Sequence, residues 1–176
     1  MTARDLIAVL PRVTASGPPD AVITALTDSS RAVEPGALFA AIRGATADGH
    51  RYIPDALQAG AAAVLAETAP PADLADSVVW LHVPDSRLAL ALLASLFHGH
   101  PWRDMALAGV TGTNGKTTTA FLIHHIMKTV WHRAGLLGTV VVDDGETTVP
   151  ARHTTPGPVE LQGLLCTMRD HGCRGV

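Results

Sequence analysis

Aromatic residues make up only 4% of this 176-residue chain, and charged residues only 16%. Low charge removes the disordered class, because the chain is 47% hydrophobic and has ample apolar material to bury. There is no run of Lys and Arg and no interleaving of basic with aromatic residues, and the formal net charge is -3, so nucleic acid is excluded as a partner. Cysteine is nearly absent: Cys166 and Cys173 form no disulfide framework and suit a reducing compartment. The longest apolar run, "LALALLASLF" at 88–97, is half of the roughly 20 residues a membrane span needs. The opening "MTARDLIAVLPRV" is broken by Arg4, Asp5 and Pro11 and is no secretion signal. A soluble cytoplasmic protein with no membrane partner is the expectation.

What is present is Ala, Val and Leu in short blocks punctuated by Gly and Pro. Near-continuous aliphatic blocks are the mark of strands covered on both faces by helices, which makes the class α/β. The expected strands are 21–26, 37–42, 61–67, 78–83, 106–110 and 135–142, with a return strand after a turn at "DDGE" (143–146). The expected helices are 3–10, a short one ending before Gly60, one after Pro84 capped by Asp85 or Ser86, 116–130, and 159–172. "TASGPPD" (14–20) reads as a loop. On the helix 116–130, Phe121, Leu122, Ile126 and Val130 recur at helical spacing, the pattern of a face directed at a core. "HGHPWRD" (98–104) lacks periodicity and holds a proline, so a domain joint is placed there. Two parts result: a small N-terminal α/β domain (1–98), and the opening portion of a P-loop-type central domain with a mainly parallel sheet (99–176). Because "CRGV" reads as the start of a further strand, the chain is expected to be the front part of a longer protein, with apolar edges exposed in its second part and marginal stability there.

Residues 109–120, "GVTGTNGKTTTA", carry the sharpest chemical signal. A strand, a glycine loop and a helix opening at Lys116 form the context in which backbone N–H groups and a helix N-terminus bind phosphate. The general P-loop is written G-x-x-x-x-G-K-[ST], yet five positions before Gly115 stands Val110, and the early glycine is Gly112. Gly112, Thr113, Asn114, Gly115, Lys116, Thr117 and Thr118 are therefore the candidate ATP-binding residues of a loop with its own glycine spacing. Lys116 would meet the β- and γ-phosphates as a mobile charge, and the Thr117 hydroxyl would ligate Mg²⁺. These two are the catalytic candidates. Three threonines at a helix start are poor helix formers, which points to a use for their hydroxyls.

The displaced glycine is also where a resemblance lies: "TGTNGKTTT" resembles the ATP loop of the Mur ligases, ATP-dependent enzymes that add amino acids to the cell-wall precursor. Residues 28–67, "DSSRAVEPGALFAAIRGATADGHRYIPDALQAGAAAVLAE", resemble that family's N-terminal domain, with D-S-R, P-G, an aliphatic strand, D-G-H, a helix and an A-A-x-V strand in order. "HTTPGPVEL" (153–161) resembles the T-T-P loop of the E-type members (MurE).

The resemblance implies a substrate as well as a nucleotide. Asp28, Ser30 and the loop Ala45-Thr46-Ala47 would line the pocket for the uridine diphosphate end, with Ser29 or Ser30 facing the uridine. His153, Thr154 and Thr155 would meet the sugar–diphosphate–peptide substrate beside the ATP site. The implied cofactors are ATP and Mg²⁺, and the implied reaction adds the third amino acid, diaminopimelate or lysine, to UDP-MurNAc-L-Ala-D-Glu through an acyl phosphate. The piece alone is expected to be inactive or nearly so, since the family's further catalytic segments are not within it. The alternatives left open are an F-type ligase adding D-Ala-D-Ala, a non-catalytic nucleotide- or UDP-sugar-binding module, and a P-loop kinase of small metabolites.

Nine histidines invite a metal site, but their spacings supply none: His124 and His125 are adjacent and diverge on a helix. "DSR" at 85–87 is read as a helix cap only. No nucleophile elbow or acid–base carboxylate pair is present.

Overall fold

The structure, a computed structural model, describes residues 1–44, 47–74 and 76–176. Its contacts divide the chain into two compact units, Met1–Phe97 and His98–Val176.

The first unit opens with α1 (Ala3–Ala8), started by a reciprocal cap in which Thr2 and Asp5 exchange side-chain and backbone hydrogen bonds. Five strands follow with two helices: β1 (Thr14–Ser16), β2 (Ala25–Thr27), β3 (Ala37–Ala40), α2 (Ile53–Gln58), β4 (Ala63–Ala66), β5 (Val79–His82) and α3 (Ser86–Phe97). They form one sheet in the order β1-β5-β4-β3-β2, parallel except for β1. Every residue of β3 and β4 is buried, as strands covered on both faces require. Phe39, Val64 and Trp80 pack on Ile53 and Ala56 of α2. Leu38, Leu65 and Leu81, one position out of phase, are fully buried on the opposite face.

In the second unit a 3₁₀ turn at Pro101–Asp104 leads to the glycine loop and α4 (Lys116–Trp131). Then come β6 (Leu136–Leu137), β7 (Val141–Asp143), β8 (Thr148–Pro150) and α5 (Pro158–Asp170). The three strands make an antiparallel sheet in the order β6-β7-β8. Met105, Leu165, Met168 and Cys173 form the core, with Leu137, Val142, Leu161 and Val176 packed on it. The Cys173 thiol donates to the Asp144 carbonyl, and burial, followed by the nearby charges of Asp143 and Asp144, pushes its pKa up.

The α/β class with a mostly parallel sheet is as the sequence predicts, but that sheet lies in the first unit, and the second unit's three-stranded sheet is antiparallel where a mainly parallel one was expected. Gly60 and Gly172 both have positive φ just past a helix end, as expected of glycine stops. Four local readings need correcting. Residues 14–16 are not loop but an edge strand, exposed and held by backbone pairing with β5. Residues 135–142 are not one strand: β6 turns back at 138–140 to pair antiparallel with β7. An aliphatic block has no periodicity that distinguishes one strand from two. The strand expected at 106–110 is a single parallel bridge, Ala106 to Gly175, extended by the Ala108 N–H on the Val176 carbonyl at 2.9 Å. Finally, the apolar stripe of α4 is not core: Phe121, Leu122, Ile126 and Val130 are exposed, and the opposite side of the helix faces inward.

Candidate functional site: a phosphate loop and a cavity

The glycine loop enters α4 through two unusual backbone conformations. Gly112 has φ 147° and Gly115, which caps the helix, has φ 76°. Both lie in the region that side chains rarely adopt, and a Cβ on Gly115 would meet no atom within 4 Å, so the requirement is conformational rather than steric. No side chain caps the helix. Among the described residues the N–H groups of Lys116, Thr117 and Thr118 have no acceptor, the first intrahelical bond being Thr119 N–H to Gly115 O at 2.9 Å. Lys116 folds back so that Nζ donates to the carbonyls of Gly112 and Thr113. The loop thus holds unpaired donors and a mobile cation at the positive end of a 16-residue helix.

Beside it lies a cavity of about 560 Å³. Gly112, Lys116 and Thr117 line it, and so do Thr154 and Thr155 from the loop before α5. Residues about 40 positions apart in sequence therefore face one space. Thr113, Asn114, Gly115 and Thr118 are exposed outside its lining. His153 does not join it; it borders a separate small depression with Arg152 and Glu160. Among the described residues no group of three His, Cys, Asp or Glu could hold a metal. A divalent cation at the loop would rest on the Thr117 hydroxyl and on phosphate oxygens, a hard-oxygen set that suits Mg²⁺.

In the first unit, Asp28, Ser29 and Ser30 follow the carboxyl end of β2, where parallel sheets place ligand sites. Asp28 and Ser29 are exposed and Ser30 is half-buried at the start of a 3₁₀ turn. Neither serine hydroxyl has a partner among the described residues. Ala47 is exposed, its carbonyl accepting from Gly44 N–H at 2.9 Å; Ala45 and Thr46 lie outside the described residues. A network fixes the base of that loop. His50 Nε2 accepts the Glu67 N–H at 3.0 Å, so Nδ1 carries the ring hydrogen and donates to Asp48 at 2.6 Å. Hydrogen bonds from the backbone and ring of His50 lower the Asp48 pKa. Glu67 Oε1 also takes both the N–H and the hydroxyl of Ser86, at 3.1 and 3.0 Å, while Oε2 lies 3.4 Å from Arg43 Nε.

Comparison with known proteins decides the family. Residues 22–98 match the model of the Mur ligase family catalytic domain, and residues 110–176 match the Mur ligase middle domain. The chain belongs to the Mur ligase family. It is 49% identical over 156 residues to the UDP-N-acetylmuramoyl-L-alanyl-D-glutamate–2,6-diaminopimelate ligase of Chlorobaculum tepidum, covering 89% of this chain and 30% of that protein. The enzyme of the same name from Bacteroides fragilis is 40% identical over all 176 residues, which are 36% of its length. The UDP-N-acetylmuramyl-tripeptide synthetase of a Roseiflexus species is 49% identical over 153 residues, 86% of this chain and 30% of that one. The chain thus spans about a third of these relatives. A solved diaminopimelate ligase of the family superposes with a TM-score of 0.77 over 99% of this chain and 34% of its own, at 23% identity. A family member from Acinetobacter baumannii, the D-alanyl-D-alanyl ligase, gives 0.63 with the same coverage and identity. At that identity the likeness is one of fold.

Within this Mur ligase chain, three features escape the motif reading. Thr139 lines the cavity and lies 3.0 Å from Thr117, oxygen to oxygen; only the unforeseen turn between β6 and β7 brings it there. His124 also lines the cavity, its Nε2 3.1 Å from the Ala134 carbonyl, and its position one face-turn below Ala120 on α4 was the available signal. Ser86 is more than a cap: Asp85 caps α3 through the Leu88 N–H at 2.9 Å, which leaves Ser86 to Glu67.

Proposed function

We propose that this chain is the uridine-nucleotide-binding and ATP-binding part of an ATP-dependent ligase of peptidoglycan synthesis, which adds the third amino acid to UDP-MurNAc-L-Ala-D-Glu. The observation that carries the reading is the shared cavity: a loop with unpaired amides and Lys116 faces the same space as Thr154 and Thr155. The names of the relatives favour diaminopimelate over lysine as the added residue. The domain split follows from the same reading, with the uridine end held by residues 1–98 and the triphosphate by residues 99–176. No helix among the described residues is long and apolar enough to cross a membrane. A cytoplasmic monomer working on soluble substrates fits this reading.

The chemistry assigned to these residues is phosphoryl transfer followed by amide formation. The substrate carboxylate attacks the γ-phosphorus, ADP leaves, and an acyl phosphate forms; the incoming amine then displaces phosphate and loses a proton. The chain's part is to position groups and offset charge. Lys116 would leave its two loop carbonyls for the β- and γ-phosphates, and the N–H groups of residues 116–118 would donate to phosphate oxygens. Thr154 and Thr155 would donate to the diphosphate or the reacting carboxylate. Mg²⁺, held through Thr117 and the phosphates, would neutralise charge on the transferring group. Asp28, Ser30 and the loop 45–47 would hold the uridine end, and His153 would sit outside the reacting space.

Titration calorimetry tests this reading with ATP and with UDP-MurNAc-L-Ala-D-Glu as separate ligands. Lys116→Ala should weaken ATP binding at least tenfold, and Thr154→Ala should weaken the UDP-linked substrate. ATP affinity indifferent to Lys116→Ala overturns the nucleotide site. Binding of ATP without the UDP-linked substrate points instead to a small-metabolite kinase.

A further inference from the structure

Two threonines inside helices bond the backbone one turn back. Thr129 donates its hydroxyl to the His125 carbonyl one turn back, at 2.9 Å, and Thr167 does the same to Gly163 at 3.2 Å. This is what a threonine inside a helix does by default. Thr117 does not. The carbonyl one turn before it, on Thr113, is engaged by Lys116 Nζ at 3.3 Å. The Thr117 hydroxyl points across to Thr139 Oγ1 at 3.0 Å, and both residues line the cavity. Thr139 belongs to the turn at 138–140, closed by the Gly138 N–H on the Val141 carbonyl at 3.1 Å.

A hydroxyl has one hydrogen and two lone pairs. When its oxygen ligates a cation, the hydrogen must turn away and find an acceptor. The Thr117 hydroxyl faces Thr139 Oγ1 and makes no bond to the Thr113 carbonyl, so Thr139 Oγ1 is the acceptor in place. We propose that Thr139 is a positioning residue: it accepts the Thr117 hydrogen and so presents a Thr117 lone pair to the divalent cation carried by a bound nucleoside triphosphate. This rests on the nucleotide reading above and adds to it a role in metal dependence. It also gives the turn between β6 and β7 a function, since the turn delivers a hydroxyl to the first turn of α4.

The pair predicts a signature that a packing role would not give. Calorimetry on the full chain, with ATP in excess Mg²⁺ and with ATP in a metal chelator, separates the two affinities. In the wild type Mg²⁺ should strengthen ATP binding. Thr139→Val keeps the side-chain shape and removes the acceptor; it should cut that Mg²⁺-dependent gain about tenfold, the size of one lost hydrogen bond to a cation-polarised group, and change the metal-free Kd less than twofold. Thr139→Ser, which keeps the oxygen, should retain the gain. Thr117→Val should lose it, and the double variant Thr117→Val/Thr139→Val should be no worse than Thr117→Val alone. Equal losses with and without metal, no loss at all, or additive losses in the double variant would each overturn the proposal while leaving the phosphate loop standing. If the wild type binds no ATP under either condition, the nucleotide reading itself falls, and this role with it.

Discussion

Asp143 is buried in β7 with Oδ2 3.2 Å from Lys128 Nζ, which ties the sheet of the second unit to α4. The same oxygen lies 3.5 Å from His124 Nε2, and Oδ1 accepts the Gly145 N–H at 2.9 Å. Asp143→Ala strands a lysine and an amide together and removes the carboxylate beside His124, which keeps the Ala134 carbonyl. Because the Lys128 side chain is 43% exposed, water takes up part of the loss, and the expected cost is about 1–3 kcal/mol. Asp143→Asn keeps an acceptor for Gly145 and should cost less. Thermal unfolding checks both, and an unchanged midpoint for Asp143→Ala would contradict the arrangement.

Asp144 gives the second unit a defined acid sensitivity. Its carboxylate accepts the N–H groups of Thr147 and Glu146, and these bonds hold its pKa down from 3.8 to about 2. A carboxyl depressed on folding contributes stability that is complete above 3.8 and lost as pH falls through about 2. The stability difference between wild type and Asp144→Ala, measured by urea unfolding, should be full at pH 5 and shrink toward pH 2. A difference that stays constant over that range would refute it.

The two loop glycines should respond to alanine through binding more than through folding. Gly115→Ala forces an alanine to φ 76°, a strain of about 1–2 kcal/mol, into open space. The loop can relieve that strain by shifting, and its amides then converge less well. ATP affinity should fall about tenfold for Gly115→Ala and further for Gly112→Ala, whose φ of 147° is harder to reach, with melting changed by a few degrees at most. A collapse of the fold in either variant would show that the loop is structural.

Much of this was legible because local rules agreed with the fold. Asp144-Gly145 named its turn, Gly60 and Gly172 named their helix ends, and the loop 112–118 could be read from small residues between a strand block and a helix. What stayed hidden depends on partners distant in sequence. Residues 14–16, Thr-Ala-Ser, are small and exposed, so only their backbone pairing with β5 makes them a strand. The block 135–142 folds on itself, and with that fold comes Thr139, which no motif contains. Asp48 and His50 were visible within D-G-H, but their meeting with Glu67 and, through it, Ser86 required the parallel order of β3, β4 and β5.

That network carries its own prediction. The His50 ring is 11% exposed and spans Asp48 and the Glu67 amide. His50→Ala should destabilise the first unit by about 1–3 kcal/mol and weaken the UDP-linked substrate by loosening the loop after Arg43. Unfolding by urea and calorimetry would report the two effects separately. Loss of ATP affinity alone would be the wrong result.

The exposed stripe of α4 should tolerate polar residues. Leu122, Ile126 and Val130 are 61%, 62% and 64% exposed, so Leu122→Gln, Ile126→Gln and Val130→Thr together should leave the melting midpoint within a few degrees and reduce binding of an apolar dye. A large drop in the midpoint would mean that the stripe is covered in solution.

The parallel bridge that holds residues 106–108 against 174–176 also sets a clock. The segment leading into the glycine loop acquires its main-chain partners from residues made about 70 positions later. At about 5–20 residues per second of synthesis, that is a delay of roughly 4–14 seconds. Closing so long a stretch opposes that pairing with a loop entropy that the contacts must overcome. The segment entering the nucleotide loop therefore gains these main-chain partners only after residues 174–176 have been made. Changes near Arg174 and Gly175 should act on the yield of folded protein well before they act on how tightly that protein binds.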